Sequence, residues 1–222
     1  MKKILGIVLF IWLAFMPAGQ AFDEIEDLSR PGTLGNKEAV SLPANDWENI
    51  TIMGPATATE EEMARYILRK NPGPQLNCSV RELVAFYYEE AAAEGIRPDV
   101  AICQAALETG FFCYRNERGE GNVDAWQNNF CGLGSTDSGV AGAAFATPRE
   151  GVRAHIQHLV AYAEKRLPRR ALIDPRFEIL VTRYPQYHGA VQFWVGLNGR
   201  WAVPGDRYGQ DILRLWYEAQ RK

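Results

Sequence analysis

The sequence predicts a mainly α-helical domain that carries one irregular polar lobe. After residue 58, most segments place apolar residues at helical spacing, and start and stop signals flank these segments. Residues 114–146 differ, because they are rich in Gly, Asn, Ser and Asp and show little periodicity. That composition favours loops and a small β-hairpin in the middle of the chain.

Three helices are predicted before the lobe. The first follows Thr59, opens with three glutamates, closes with basic residues and stops at NPGP. Ser79 with Glu82 three residues later forms a capping box for the second helix. Pro98 suits the first turn of the third helix, PDVAICQAALET, which Gly110 ends.

Three further helices are predicted after the lobe. TPRE at 147–150 forms another capping box and starts GVRAHIQHLVAYAEK. FEILVTR is a short helix that begins behind Asp174. In the last segment, YGQDILRLWYEAQ, the residues Ile212, Leu215 and Trp216 fall on one helical face.

The first residues are typical of a secretory signal peptide. Lys2 and Lys3 precede an apolar run over residues 4–16, and the small-residue stretch AGQA allows cleavage after Ala21. The run is short for a membrane-spanning helix, which needs roughly 20 apolar residues. Residues 1–21 are therefore predicted to be a signal peptide, with an uncleaved anchor as the alternative.

The remainder is divided into an arm and one domain. Residues 22–55 are acidic at first, then rich in Gly and Pro, and are interpreted as a linker or loosely docked arm. Residues 56–222 form the predicted domain, which we expect to be a monomer. The net charge of −3 and the lack of a basic run argue against nucleic acid as a partner.

Export gives the four cysteines a possible structural role. Cys78, Cys103, Cys113 and Cys131 can form two disulfides, with three possible connectivities. A bridge between Cys113 and Cys131 is predicted, because both are expected in loops that border one cleft. Cys103 lies inside a predicted helix and can instead be a small buried apolar residue.

Glu108 is the candidate catalytic carboxylate. It closes an apolar helix, with Gln104 and Ala105 one turn back, and this small-residue face would let a bulky substrate approach. Phe111 and Phe112 follow directly and can keep the carboxyl dry, which raises its pKa. The alternative is a solvated residue at a helix end.

The stretch QNNFCGLG at 127–134 is the candidate sugar-binding segment. Amide side chains such as those of Asn128 and Asn129 can hold acetamido and hydroxyl groups. Aromatic faces stack on sugar rings, and several aromatic residues lie outside the regular helices: Tyr114, Trp126, Phe130, Trp194, Trp201 and Tyr208. An ordinary turn and ordinary core packing are the alternatives.

Other chemistries lack the residues they need. His155 and His158 have the i, i+3 spacing of helical metal ligands, but there is no HExxH and His188 is remote in sequence. There is no GxSxG for a serine hydrolase and no glycine-rich phosphate loop. No metal and no cofactor are expected.

Four motifs together resemble one known family. QAALETG, NNFCGLG, FATPREGVRAHIQHL and GRWAVPGDRYGQDI, in this order, are similar to the glucosaminidase domain of bacterial cell-wall hydrolases, glycoside hydrolase family 73. The resemblance runs from about residue 78 to residue 222. It implies a mainly α, lysozyme-like α+β fold, in which a helical domain and a small loop-rich β-lobe flank a substrate cleft.

The resemblance also implies roles for individual residues. Glu108 matches the general acid, Asn129 the motif asparagine, and Tyr208 a tyrosine of the cleft. A second glutamate that some members carry in the β-lobe has no match here. Asp137 is the nearest carboxylate, and the preceding loop offers two others, Glu120 and Asp124. Two routes stay open: water activated by Asp137, or nucleophilic assistance by the substrate's 2-acetamido group.

The expected function is that of an exported endo-β-N-acetylglucosaminidase acting on peptidoglycan glycan strands. Glu108, Asp137 and Tyr208 are the expected catalytic residues. The expected substrate-binding residues are Gln104, Asn128, Asn129, Phe130 and Trp201. The protein is expected outside the cell, associated with the wall and not stably inserted in the membrane. The alternatives are a muramidase or lytic transglycosylase on the same fold, and a non-catalytic wall-binding module.

Overall fold

The structure is a computed structural model that describes residues 49–115, 123–134, 142–203 and 205–221. These residues form six α-helices: α1 Glu60–Lys70, α2 Val80–Glu94, α3 Pro98–Glu108, α4 Pro148–Ala163, α5 Phe177–Arg183 and α6 Tyr208–Ala219. Two short 3-10 helices, Ala125–Gln127 and Trp194–Leu197, lie in the connections. Within the described ranges, strand pairing is confined to isolated bridges. The predicted mainly α-helical class is confirmed, and the helix order is consistent with a lysozyme-like fold.

Two predictions fall wholly or partly outside the described ranges. The signal peptide, residues 1–21, and the linker up to residue 48 lie outside them. The described parts of the predicted lobe contain turns and a 3-10 helix rather than a hairpin. Among the described helices, none is both long enough and apolar enough to cross a membrane.

The helix starts follow the capping signals in the sequence. Thr59 accepts a hydrogen bond from the Glu62 amide, and the Glu62 carboxylate accepts one from the Thr59 amide. Ser79 and Glu82 form the same reciprocal pair at the start of α2. Gly95 ends α2 with a φ of +83°, a left-handed conformation that glycine adopts without steric cost.

Helix α3 is the centre of the molecule and packs against α1, α2 and α6. Every residue from Pro98 to Ala106 is buried, including Ala101 and Ala105. Buried Asp99 links its surroundings, because its Oδ2 accepts hydrogen bonds from the Thr57 amide at 2.8 Å and from Trp216 Nε1 at 2.8 Å. The predicted open, small-residue face beside Glu108 is therefore wrong: these small residues allow close helix packing instead.

The segment over residues 50–54 is an integral part of the domain. Ile52 is fully buried, its amide donates to Gln192 O at 2.9 Å, and its carbonyl accepts from the Arg97 amide at 2.9 Å. The Trp194 amide donates to Ile50 O at 3.0 Å. For these residues the structure corrects the prediction of a loosely docked arm, because they join two distant parts of the chain.

Helices α2 and α4 are held together by buried acid groups as well as by apolar packing. Glu90 is 1% exposed and accepts hydrogen bonds from Arg153 Nε at 2.9 Å and Arg170 Nη1 at 2.6 Å. Arg149 Nη1 lies 3.4 Å from the same carboxylate. Removing one member of such a buried cluster leaves an uncompensated charge, so these contacts fix the separation of the two helices.

Candidate active site

Glu108 is the last residue of α3, and the chain turns sharply directly behind it. The φ angles are +57° at Gly110, +52° at Phe111 and +63° at Phe112. Positive φ is rare for bulky residues, so two successive phenylalanines in this region mark strained backbone. The Thr109 hydroxyl helps to hold the turn by accepting from the Phe112 amide at 2.9 Å. Backbone strain is thus located next to the candidate acid.

The Glu108 carboxyl is half-buried and contacts few polar groups. Its Oε1 accepts a short hydrogen bond from the Tyr208 hydroxyl, which α6 supplies. Burial raises the pKa of Glu108 to about 7, while the hydrogen bond from Tyr208 and the nearby indole N–H of Trp201 act in the opposite direction. The Trp201 Nε1 is buried and makes no hydrogen bond of good geometry among the described residues. It is an available donor beside the carboxyl.

A chain of hydrogen bonds continues from Glu108 into the core. Gln104 Nε2 donates to the Tyr208 hydroxyl oxygen at 2.7 Å. Gln104 Oε1 lies 3.0 Å from His155 Nε2, and His155 Nδ1 lies 2.8 Å from the Tyr87 hydroxyl. Burial lowers the pKa of His155 to about 3, so its ring is neutral at physiological pH. Four helices, α2, α3, α4 and α6, meet in this chain.

The Asn129 side chain organises the loop of the candidate sugar-binding segment. Asn129 is fully buried, and its Nδ2 donates to Leu133 O at 2.9 Å and Ala143 O at 3.0 Å. Its Oδ1 accepts from the amides of Leu133 at 3.0 Å and Cys131 at 3.4 Å. The amide is thus fully used inside the protein. Direct contact of Asn129 with substrate stays a prediction, and the role visible in the structure is to shape the loop.

Asn128 also makes contacts within the protein. Its Oδ1 accepts from Asn77 Nδ2 at 2.9 Å, and its Nδ2 donates to Phe145 O at 2.9 Å. A φ of +52° turns the backbone here. The Asn128 carbonyl lies so close to α4 that a Cβ at Gly151 would be 1.7 Å from its oxygen. Gly151 therefore allows the loop to pack onto the first turns of α4.

The remaining predicted sugar-binding residues lie in the interior. Gln104 is fully buried, and Phe130 is 1% exposed with its ring edge-on to Phe112 at 6.2 Å. Trp201 is 4% exposed and packs edge-on against His158 at 4.9 Å. In this conformation none of these three offers a ring or amide face to solvent, and their predicted contact with substrate stays untested. Trp126, by contrast, is 66% exposed.

The second catalytic carboxylate is not located by the structure. Asp137 and Glu120 lie outside the described residues. Asp124 is described and forms an ion pair with Arg115, so its carboxylate is engaged on the surface. The assignment of Asp137 stays a prediction.

The four cysteines are free thiols in the structure. The predicted Cys113–Cys131 bridge is not formed. Cys131 is buried in the Asn129 loop, whereas Cys113 is half-buried and contacts Asn71 Nδ2 through its sulfur at 3.4 Å. The expectation that both cysteines border one cleft was therefore not enough to predict a disulfide between them.

The two helical histidines have separate partners. His155 belongs to the chain behind Glu108, and His158 Nδ1 pairs with the buried carboxylate of Asp174 at 2.8 Å. Within the described ranges, no group of three or more His, Cys, Asp or Glu side chains could hold a metal ion. Despite their i, i+3 spacing, the two histidines therefore contact different partners: His155 contacts Gln104, and His158 contacts Asp174.

Sequence reasoning missed the residues that support Glu108 from behind. His155 was interpreted as a possible metal ligand or a polar residue, Gln104 as a substrate ligand, and Tyr87 was not singled out. The one available signal was position. His155 occurs between Val152 and Ile156 on the apolar face of α4, where a polar side chain requires a buried partner.

Comparison with known proteins gives one family and one relative. The model of the glucosaminidase family, described as mannosyl-glycoprotein endo-β-N-acetylglucosaminidase, matches residues 84–221. An uncharacterized protein of Borreliella burgdorferi (strain B31) is 36% identical over 142 residues, which is 64% of this chain and 64% of that protein. No solved structure matches the chain significantly. The family match covers the region that contains Glu108, His155 and Tyr208, and the chain belongs to the glucosaminidase family.

Proposed function

We propose that the protein is an endo-β-N-acetylglucosaminidase that hydrolyses the glycan strands of peptidoglycan, with Glu108 as the general acid. The observation that carries this proposal is a half-buried carboxyl at the end of α3 that accepts a hydrogen bond from Tyr208. Burial raises the pKa of this carboxyl to about 7. Membership of the glucosaminidase family supports the reaction class. A glycosidase needs such a group, because the leaving oxygen must receive a proton at neutral pH.

Burial of Glu108 sets the pH range of the reaction. An exposed glutamic acid with a pKa of about 4.3 would be almost fully ionised at neutral pH. With a pKa of about 7, a large share of Glu108 stays protonated near neutrality. We expect the turnover number to fall as pH rises through about 7, because the acid loses its proton. A pH–rate profile that is flat across this range would contradict the assignment.

Two routes can supply the other half of the reaction, and stereochemistry separates them. Water activated by Asp137 and attacking directly inverts the anomeric configuration, whereas participation of the 2-acetamido group retains it. Proton NMR of the first product formed distinguishes these outcomes. Replacing Asp137 by Asn should abolish most activity only on the first route.

The bond that is cut is tested by product analysis. Purified peptidoglycan is digested, reduced with borohydride, hydrolysed and analysed by mass spectrometry. Glucosaminitol in the digest supports the proposal. Muramitol indicates a muramidase, 1,6-anhydro products indicate a lytic transglycosylase, and the absence of any product indicates a wall-binding module.

A pair of variants tests the general acid. Glu108→Gln keeps the size of the side chain but removes the proton, so activity should fall by roughly 10²–10⁴-fold. Glu178→Gln is the matched control, because Glu178 is exposed on α5. It should retain full activity. A Glu108→Gln enzyme with most of its activity would refute the role of Glu108.

We further propose that the protein acts outside the cytoplasm as a monomer. The charged and apolar start of the sequence supports export, and the peptidoglycan substrate requires it. The mature N-terminus is read by mass spectrometry of the native protein. A chain that begins at Phe22 supports cleavage, whereas one that retains residues 1–21 indicates an anchor.

A further inference from the structure

In the hydrogen-bond chain behind Glu108, the Tyr87 hydroxyl determines which atom of each pair donates and which accepts. Among the described residues, the Tyr87 hydroxyl has a single hydrogen-bond partner, His155 Nδ1. Tyr87 is fully buried, so its hydroxyl is shielded from bulk solvent. A buried hydroxyl proton without an acceptor is strongly disfavoured. Tyr87 therefore donates, and His155 Nδ1 accepts.

The donor role of Tyr87 determines the donor and acceptor of every later hydrogen bond in the chain. His155 is neutral, so an unprotonated Nδ1 requires the proton to be on Nε2. Nε2 then donates to Gln104 Oε1, and this fixes the orientation of the amide. The Gln104 NH₂ group in turn donates to the Tyr208 oxygen, which directs the Tyr208 proton toward Glu108 Oε1.

We propose that Tyr87 and His155 are positioning residues for the general acid. Acting through Gln104 and Tyr208, they force Glu108 Oε1 to accept a hydrogen bond in both protonation states. The transferable proton is thereby confined to Oε2. This inference rests on the proposed role of Glu108 and adds the reason why its proton is available to a substrate.

The opposite direction shows why the assignment matters. If His155 carried its proton on Nδ1, Gln104 could turn its amide and accept from Tyr208. Glu108 would then hold its proton on Oε1, between itself and Tyr208 and away from the leaving oxygen. A proton held on Oε1 cannot reach the leaving oxygen. The direction of the hydrogen bonds therefore determines what fraction of the enzyme molecules can act as a general acid.

Few other titrating groups border the chain. Tyr208 from α6 and Cys131 from the Asn129 loop face Glu108, and burial raises the pKa of both. Tyr87 from α2 and His158 from α4 itself face His155, and Tyr114 lies near Tyr87. Burial raises the pKa of both tyrosines. Tyr87, Tyr208 and Cys131 thus stay uncharged near neutral pH. His158 pairs with Asp174 rather than with a member of the chain.

The test measures the pKa of Glu108 directly, by carbon NMR of ¹³C-labelled glutamate carboxyls. The Glu108 signal is assigned by its loss in Glu108→Gln. Tyr208→Phe removes the hydrogen bond to Oε1 and should raise the pKa of Glu108 by roughly 1 or more, since bonds to charged groups are strong. It sets the scale for the other variants.

Variants of His155 and Tyr87 test whether these residues act on Glu108 through Gln104 and Tyr208. His155→Phe frees Gln104 to accept from Tyr208, so the pKa of Glu108 should rise in the same direction. The double variant His155→Phe/Tyr208→Phe should show no further rise, because both changes act on one hydrogen bond. His155→Gln restores a donor close to the position of Nε2 and should return the pKa toward the wild-type value.

Tyr87→Phe is the mildest change and has a matched control. It keeps the ring but removes the donor that sets the direction, so the pKa of Glu108 should rise and the turnover number should fall. Tyr66→Phe removes the hydroxyl of another buried tyrosine, one that donates to Glu218 instead, and it should leave both unchanged. If His155→Phe fails to fold, Tyr87→Phe alone decides.

The outcomes separate this inference from the proposed function. A folded Tyr87→Phe protein with the wild-type pKa at Glu108 overturns the inference. A wild-type protein that releases no sugar while the NMR pKa shifts appear refutes the proposed function and leaves the directed chain in place. Loss of activity with no change in the pKa of Glu108 shows that Tyr87 is structural only, and this also overturns the inference.

Discussion

Replacing Glu108 by Gln should change the stability of the fold in a pH-dependent way. The carboxyl has a pKa of about 4.5 when unperturbed and of about 7 in the fold, where burial disfavours its charged form. Between these values the folded state keeps a proton that the unfolded state has released. The free energy of unfolding of the wild type therefore falls as pH rises through this window.

The size of the effect follows from the two pKa values. Their difference of about 2.5 (7 − 4.5) corresponds to about 3 kcal/mol. Gln carries no charge at any pH, so the free energy of unfolding of the variant does not fall for this reason as pH rises. Glu108→Gln should equal the wild type near pH 4 and exceed its free energy of unfolding by about 3 kcal/mol near pH 8. The same substitution that abolishes activity is thus expected to stabilise the protein.

Urea unfolding followed by tryptophan fluorescence measures this difference across the pH range. Glu82→Gln is an informative control of opposite sign. Glu82 is exposed, and its hydrogen bonds to Ser79 lower its pKa, so its contribution is present at neutral pH and lost in acid. Its variant should be the less stable one at neutral pH. If the difference between Glu108→Gln and wild type does not vary with pH, the burial argument is refuted.

Three other outcomes follow from the contacts of the site. Asn129→Ala should lower the free energy of unfolding by about 2–4 kcal/mol as well as impair turnover, since it leaves buried loop groups unpaired; an unchanged urea midpoint would contradict this. Gly151→Ala should destabilise the fold by displacing the Asn128 carbonyl, and wild-type thermal stability would show that the loop can yield. Thiol titration should find four thiols after denaturation, with Cys103 and Cys131 unreactive in the native protein; a count of two would restore a disulfide.

Features set by neighbouring residues were predictable from the sequence. The capping box at Ser79, Pro98 in the first turn of α3 and the end of α2 at Gly95 occur where the sequence predicts them. The box predicted at Thr147 is half formed, because Thr147 accepts from the Glu150 amide while the Glu150 carboxylate accepts from the Ala146 amide. Each depends on contacts within a few residues. The position of Glu108 at the end of α3 was also predicted from local features, and its role as the acid stays a prediction.

Features that depend on distant parts of the chain were not predictable from the sequence. The sequence did not show that Gln104 donates a hydrogen bond to Tyr208, 104 residues away, and its predicted contact with substrate stays a prediction. The sequence also did not show that the Asn129 amide makes hydrogen bonds within its own loop, and its predicted contact with sugar stays a prediction. Sequence spacing shows which face of a helix a residue occupies and not which partner covers that face. Burial raises the pKa of Glu108, and the hydrogen bond from Tyr208, a partner 100 residues away, opposes that rise.

The long span between the partners of this site has a consequence for timing. Glu108 and Tyr208 are 100 residues apart, and Ile52 is held by Gln192 near the other end of the domain. Contacts between such distant positions form late, because much chain must be ordered before they close. A nascent chain that lacks α6 carries Glu108 without its hydrogen-bond donor, Tyr208. On the proposed function, we therefore expect the site to become competent only after α6 has docked.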